Sequence, residues 1–511
     1  MAVIPSGLDR EVALRLASFG RDDTMRRIWR RDHTVWRPDP TEITDRLGWL
    51  TVHEVMRKRC PELKEFAARC AADGLTHAVL AGMGGSSLAP EVLRATFGVS
   101  PGMLDLVVLD TTHPDQILGV ERLLDLGRTL FVISSKSGTT VETLSHLAYF
   151  WEKVPDGSRF VTITDPGTPL ETLAHQRGFR ATFLNPPDIG GRYSALSLFG
   201  LVPGALIGVD LDALLDRAAE AAQACGPDVA AEENPGAWLG ALLGEGARGG
   251  RDKLTLVLGE RIRAFGSWVE QLIAESTGKE GEGIVPIDGE DLGPAHVYGT
   301  DRLFVGVGEE KLNEALRPLE EAGHPTAHLP LHDPIDVGGE FFRWEFATAV
   351  AGAVLGIQPF DQPNVQEAKD NTKALLAAGD LPDPGYDDLA GLLGEVGPGD
   401  YLAIQAYLPR EEATERRLHA VRMRLRDRLG VATTVGFGPR FLHSTGQLHK
   451  GGPTSGVFAQ VVEPPEHDLP IPGQRFSFAA LLAAQSVGDL QSLRSHGRRV
   501  ARVRLADLEQ A

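Results

Sequence analysis

The sequence predicts an α/β protein of open, doubly wound parallel sheets, and three observations carry that reading. From Thr76 onward, short apolar β-branched runs alternate with stretches of helical periodicity. The runs are continuously apolar rather than alternating, as in strands buried on both faces. Loops rich in Gly, Ser and Thr stand where strands hand over to helices. At 511 residues the chain exceeds one ordinary core, so several domains are expected.

Residues 1–72 read as a helical N-terminal segment. Leu8, Val12, Leu14 and Leu16 precede a charged stretch, and Trp36, Trp49 and Leu50 are expected to pack it onto the body. A first α/β domain, 73–230, has expected strands at 77–80, 104–109, 130–133 and 159–164. A second, 231–400, has strands at 254–258, 303–307 and 326–331, with helices at 265–274 and 341–355. The second of these helices is rich in Ala and Gly, which implies close packing. A Pro/Gly/Asp-rich stretch, 379–385, resembles a linker. The C-terminal part, 401–511, has strands at 401–404, 432–435, 456–462 and 499–505, and is expected to complete or extend the second domain.

Bulk composition excludes several function classes. The formal net charge is −19 with no basic block, which argues against nucleic acid as a partner. The longest uncharged run, 193–209, contains Pro203 and several glycines and is short of a membrane span. Cys60, Cys70 and Cys225 have neither metal-type spacing nor the number for a disulfide framework, which points to a reducing compartment. Asp9, Arg10 and Glu11 interrupt any signal-type apolar segment, so a cytoplasmic protein is expected.

Five stretches carry chemistry. Phe131-Val-Ile-Ser-Ser-Lys-Ser-Gly-Thr-Thr-Val-Glu-Thr143 places Ser135, Ser137, Thr139 and Thr140 at a strand-to-helix turn. Free backbone N–H groups and the helix dipole favour an anion there, and hydroxyls add donors without charge. An ordinary Ser/Thr-capped turn is the plainer reading. Gly82-Met-Gly-Gly-Ser-Ser-Leu-Ala-Pro90 is a second such loop. It lacks the third glycine of a dinucleotide fingerprint, but Gly84 and Gly85 let backbone approach a ligand closely, with Ser86 beside them. Two neighbouring loops at the carboxyl ends of parallel strands favour phosphate binding over simple capping. Asp188-Ile-Gly-Gly-Arg192 puts an arginine before an uncharged segment, where it needs an anionic partner. Glu275 ends an apolar helix just before Gly278, and Pro363 fits the first turn of a helix that carries Lys369. Surface positions are the plainer reading for both charged residues.

Taken together, these segments resemble the glucose-6-phosphate isomerase family over about residues 76–375. The loops at 82–90 and 135–143 resemble its sugar-phosphate loops, and Gly190-Gly-Arg-Tyr-Ser194 its active-site arginine segment. Ala274-Glu-Ser-Thr-Gly-Lys279 looks like its base-glutamate segment. Phe360-Asp-Gln-Pro-Asn-Val-Gln-Glu-Ala-Lys369 resembles the signature ending in its lysine. The C-terminal part and Arg26-Arg-Ile-Trp-Arg-Arg-Asp-His-Thr-Val-Trp36 are similar to the isomerase half of bacterial transaldolase/phosphoglucose isomerase fusions. The resemblance implies two sugar-isomerase (SIS) domains, a homodimer, a small-molecule sugar phosphate as substrate and no cofactor or metal. The implied catalytic residues are Glu275, Lys369, Arg192 and a histidine. The implied binding residues are Gly84, Gly85, Ser86, Ser135, Ser137, Thr139, Thr140 and Gln362.

The family's ring-opening histidine has no clean counterpart. His296, in Gly293-Pro-Ala-His-Val-Tyr-Gly299, lies at a suitable distance after the glutamate, with His332, His443 and His449 as rivals. The implied reaction interconverts glucose 6-phosphate and fructose 6-phosphate through a cis-enediol, with one base serving C1 and C2. Two alternatives stand beside it: a dual phosphoglucose/phosphomannose isomerase, and a non-catalytic sugar-phosphate-binding regulator.

Overall fold

The computed structural model describes residues 8–379 and 382–511. The first seven residues of the N-terminal segment, and Asp380 and Leu381 of the linker-like stretch, lie outside the described residues.

Three parallel sheets organise the chain. The first joins β1 (His77–Ala81), β2 (Asp105–Leu109), β3 (Thr129–Ser134), β4 (Phe160–Thr164) and β5 (Ala181–Leu184) in the order β2-β1-β3-β4-β5. The second joins β6 (Lys253–Leu258), β7 (Val285–Ile287), β8 (Arg302–Gly308) and β9 (Thr326–Pro330) in the order β7-β6-β8-β9. Strands β10 (Tyr401–Tyr407), β11 (Ala432–Phe437), β12 (Gly456–Val462) and β13 (Arg499–Val503) form the third, ordered β11-β10-β12-β13. Each sheet therefore starts in its interior, steps to one side, then crosses to the other. The C-terminal part adds no strand to the second sheet; it winds a sheet of its own.

Register follows burial. In the first sheet Val79 lies opposite Val107 on one side and Phe131 on the other. Every residue of β3 is buried, as a central parallel strand requires. At the carboxyl ends of β1 and β3 the chain direction splits, which leaves a crevice beyond the sheet where open α/β folds bind ligands. Both Gly/Ser/Thr loops open into that crevice.

The main core joins the N-terminal segment to the first two sheets. Trp36, Trp49 and Leu50 are buried in it as expected. In the helix Asp9–Arg21, Val12, Leu16 and Phe19 face inward, whereas Leu14 is 60% exposed because it falls off that stripe. The Ala/Gly-rich helix, Val337–Leu355, packs against Pro235–Arg248. A Cβ on Gly240 would lie 2.5 Å from the Ala347 carbonyl oxygen, so glycine sets this close helix approach. The third sheet has its own core around Leu402, Ile404, Val457 and Val461. A smaller cluster uniting Ala274, Val285, Ala403 and Leu448 ties it to the end of the helix Phe265–Thr277.

Candidate active site

The 135–140 loop is built by its own hydroxyls. Ser135 Oγ accepts from the Gly138 amide at 3.1 Å and shares a hydrogen bond with Thr140 Oγ1 at 2.9 Å. Ser137 and Thr139, both exposed, pair at 3.0 Å. Gly138 adopts φ +65°, the left-handed turn that lets the loop close over the start of the next helix. Thr140 precedes the helix Val141–Lys153, yet its side chain caps no amide. The capping reading therefore fails for Thr140, and the helix N-terminus keeps donors for an incoming anion.

The first loop serves contact between protein segments. A Cβ on Gly85 would lie 1.9 Å from the Gly191 carbonyl oxygen, and one on Gly84 would lie 2.7 Å from both Gln271 Nε2 and the His443 carbonyl oxygen. These glycines let the arginine loop, the Phe265–Thr277 helix and the Arg440–His443 turn converge. Ser86 is buried, and its carbonyl accepts from Ser134 Oγ at 3.0 Å, which links the two loops.

At that convergence Arg192 and Glu275, 4% and 5% exposed, form an ion pair 3.1 Å apart. Arg192 is held on three further sides: Nε donates to Ser276 Oγ, and Nη2 to the Pro359 and Asp361 carbonyls, each at 2.8 Å. The other carboxylate oxygen of Glu275 accepts from Gln271 Nε2 at 3.0 Å. Gln271 and Glu275, four residues apart, share one helix face. Gln271 Nε2 also donates to the His443 carbonyl, while its Oε1 is buried without a partner.

The histidines separate clearly. His443 Nε2 lies 2.9 Å from Glu142 Oε1, which also accepts from Gln485 Nε2 at 2.7 Å. Burial raises the Glu142 carboxyl, but the charge and hydrogen bond of His443, with a contribution from Lys369, more than offset this and hold it below its ordinary value. His296 is exposed beside Val297 and Tyr298 and does not join the cluster. His332 is also exposed. His449 is buried between Phe441 and Phe458, and desolvation pushes it well below its ordinary value, so it is a neutral core histidine.

Gln362, just before the helix Pro363–Ala378, and Lys369, in its second turn, are exposed; the Lys369 charge acts on Glu142, and neither side chain joins the Arg192–Glu275 pair. The sequence reading gave no role to Lys279. It is 3% exposed and donates to the Gln358 and Asp361 carbonyls at 2.6 and 2.7 Å. Burial, then the neighbouring Arg192 charge, lower its ammonium to about 7. Lys279 thus pins the 358–361 backbone whose carbonyls orient Arg192. Gln271 was likewise missed, although its four-residue spacing from Glu275 was the available signal. Glu142 stood in the quoted loop motif without a role.

In class this is an α/β protein of doubly wound parallel sheets with a buried carboxylate–guanidinium pair at its crevice. Comparison with known proteins then narrows the class. The family model described as phosphoglucose isomerase matches residues 49–291. A glucose-6-phosphate isomerase from Thermus thermophilus is 31% identical over 392 residues, covering 65% of this chain and 90% of that protein. One from Synechococcus sp. JA-3-3Ab is 30% identical over 350 residues, covering 58% and 65%. Among solved structures, a hypothetical protein from Thermus thermophilus superposes with a TM-score of 0.60 at 28% identity, over 74% of this chain and all of that one. A glucose-6-phosphate isomerase from Chlamydia trachomatis shares the fold, with a TM-score of 0.56 at 23% identity over 70% and 79% of the two chains. The chain belongs to the phosphoglucose isomerase family.

Proposed function

We propose that the chain interconverts glucose 6-phosphate and fructose 6-phosphate, with Glu275 moving the proton between C1 and C2. The observation that carries this reading is the buried Arg192–Glu275 pair beside the crevice of the first sheet. One carboxylate reaching two adjacent carbons suffices for an aldose–ketose shift. Its second oxygen, held by Gln271, is fixed in direction.

The phosphate lies against Ser135, Ser137, Thr139 and Thr140 and the N-terminus of Val141–Lys153, with Ser86 at the neighbouring loop. As the enediolate develops negative charge, the Arg192 guanidinium, already oriented by backbone carbonyls, stabilises it without reorganising. Ring opening needs a proton donor and acceptor at the ring oxygen and the C1 hydroxyl. His443 takes this role in place of His296: with its Nε2–H donated to Glu142, Nδ1 is the nitrogen left for proton transfer. Lys369, whose charge acts on Glu142, supports that step.

The family resemblance further implies a homodimer of this 55.0 kDa chain, to be read by sedimentation, and a cytoplasmic setting. Among the described residues no helix is long and apolar enough to cross a membrane. Fructose 6-phosphate supplied to the protein, with glucose-6-phosphate dehydrogenase and NADP, tests the activity. Steady NADP reduction supports it, and none rejects it. Mannose 6-phosphate run in parallel reads whether C2 stereochemistry is discriminated.

A further inference from the structure

The helix Phe265–Thr277 has a second polar face. Gln271 and Glu275 turn toward Arg192, whereas Ser267 and Glu270 line a separate cavity of about 900 Å³. That volume lies within the range of small-molecule sites, roughly 300–1,000 Å³. The cavity opens between the carboxyl ends of β6 and β11, the position where open parallel sheets place ligands. It shares none of the side chains assigned above to the sugar phosphate.

Arg422, on the helix Glu412–Leu429, faces this cavity and is 4% exposed. Its Nε donates to the Thr433 carbonyl at 2.9 Å, but Nη2 is buried with no hydrogen-bond partner. An unmet guanidinium N–H in a buried site is costly, so the cavity is prepared for an acceptor. Opposite it stand Glu270 and Asp288. Burial pushes Glu270 up to about 8, helped by the Asp288 charge, and Asp288 up to about 6. Near neutral pH Glu270 thus carries a carboxylic O–H that both donates and accepts. Exposed Arg263, together with Arg410, Arg416 and Arg440, adds to the basic side, and Glu91 and Glu290 add to the acidic one. Guanidinium groups facing carboxyls disfavour a bare cation and suit a ligand with an anionic end and a hydroxyl-bearing body.

We propose that this cavity is a second ligand site for a phosphorylated polyol, its phosphate gripped by Arg422 and Arg263 and its hydroxyls by Glu270 and Asp288. The site touches the active cleft through one turn. Arg440 Nε is paired with Asp110 at 3.2 Å, Asp110 accepts from Ser87 Oγ at 3.4 Å, and Arg440 opens the turn that ends at His443. An occupant engaging Arg440 therefore acts on the turn that holds His443 against Glu142.

The test is titration calorimetry of the full-length protein with fructose 1,6-bisphosphate, glycerol 3-phosphate and inorganic phosphate. Ser135→Ala, weakened at the phosphate loop, is titrated alongside to separate binding in the active cleft. One saturable site per chain is expected that Ser135→Ala leaves in place and that weakens by about tenfold or more in both Arg422→Met and Arg263→Ala, with isomerase kcat in the absence of probe unchanged. Melting curves check that Arg422→Met folds; Arg263 is exposed, so its variant decides the matter if the first does not. Absence of saturable binding with all three probes overturns the proposal, as does binding unchanged in Arg263→Ala. Binding is read apart from turnover, so failure of the isomerase reading leaves this result interpretable.

Discussion

The phosphate loop and the Arg192–Glu275 cluster lie at one crevice yet are built on opposite principles. The 135–140 loop uses neutral hydroxyls bonded to one another, partly open to solvent, in front of an uncapped helix N-terminus. It can accept a phosphate dianion without keeping a buried countercharge in the empty state. The cluster keeps two opposite charges almost fully buried, fixed by Ser276, Gln271 and two backbone carbonyls. Burial of charge is costly unless every group is paired, and the geometry meets that condition. On the proposed function the difference is a division of labour: the loop holds, and the cluster reacts.

Breaking the cluster is expected to cost most. Arg192→Met removes the stabilising charge and leaves Glu275 buried beside one amide donor. kcat should fall by about 10²–10³-fold with KM changed far less, and the chain should melt earlier. A rise in KM alone would place Arg192 in the holding half. His443→Asn should lower kcat by about 10²-fold on substrate presented as closed ring, and far less on the open-chain fraction. His296→Asn should change neither value; an equal loss in both variants would undo the assignment of His443.

Altering the loop is expected to show the converse pattern. Ser135→Ala and Thr140→Val each remove a donor to a charged group, worth about 1.5–3 kcal/mol. KM should rise by about tenfold or more while kcat stays within about threefold. A loss confined to kcat would mean that the loop does more than hold.

The smallest effect at neutral pH concerns stability on the holding side. Burial lowers His113 and His146, the latter on the helix that starts at the phosphate loop, to about 4. Between pH 6.5 and 4 the unfolded chain therefore binds more protons than the folded one. Stability is retained above pH 6.5 and falls as pH drops through this window, by about 1.4 kcal/mol per pH unit for each histidine. Urea midpoints at pH 7 and pH 5 should differ less in His146→Asn than in the parent.

Much of the fold was legible because buried parallel strands leave continuous apolar runs, as at β1, β3, β4 and β8. β5 and β7 escaped notice for physical reasons. β5 is only partly buried and has no such run, and β7 is three residues long with Pro286 at its centre. The third sheet was visible as strands but not as a sheet, since strand pairing is a long-range choice that local pattern does not encode. The same limit applied to the site. Motifs along the chain brought out Arg192, Glu275 and the hydroxyl loop. His296 has a suitable distance along the chain from Glu275, whereas His443 reaches the site from the third sheet, 301 residues from Glu142. Lys279 was silent in sequence because its partners, the Gln358 and Asp361 carbonyls and the Asp361 carboxylate, lie 79 and 82 residues away along the chain.

The claim that Glu275 is the base has one direct measurement: exchange of the C2 proton of glucose 6-phosphate in deuterated water, followed by NMR, in Glu275→Gln. The substitution keeps the size of the side chain and its contact with Gln271. If Glu275 carries the proton, sugar-phosphate binding persists and deuterium incorporation at C2 is lost with turnover. Incorporation continuing near the parental rate would contradict the assignment and move the chemistry to another group.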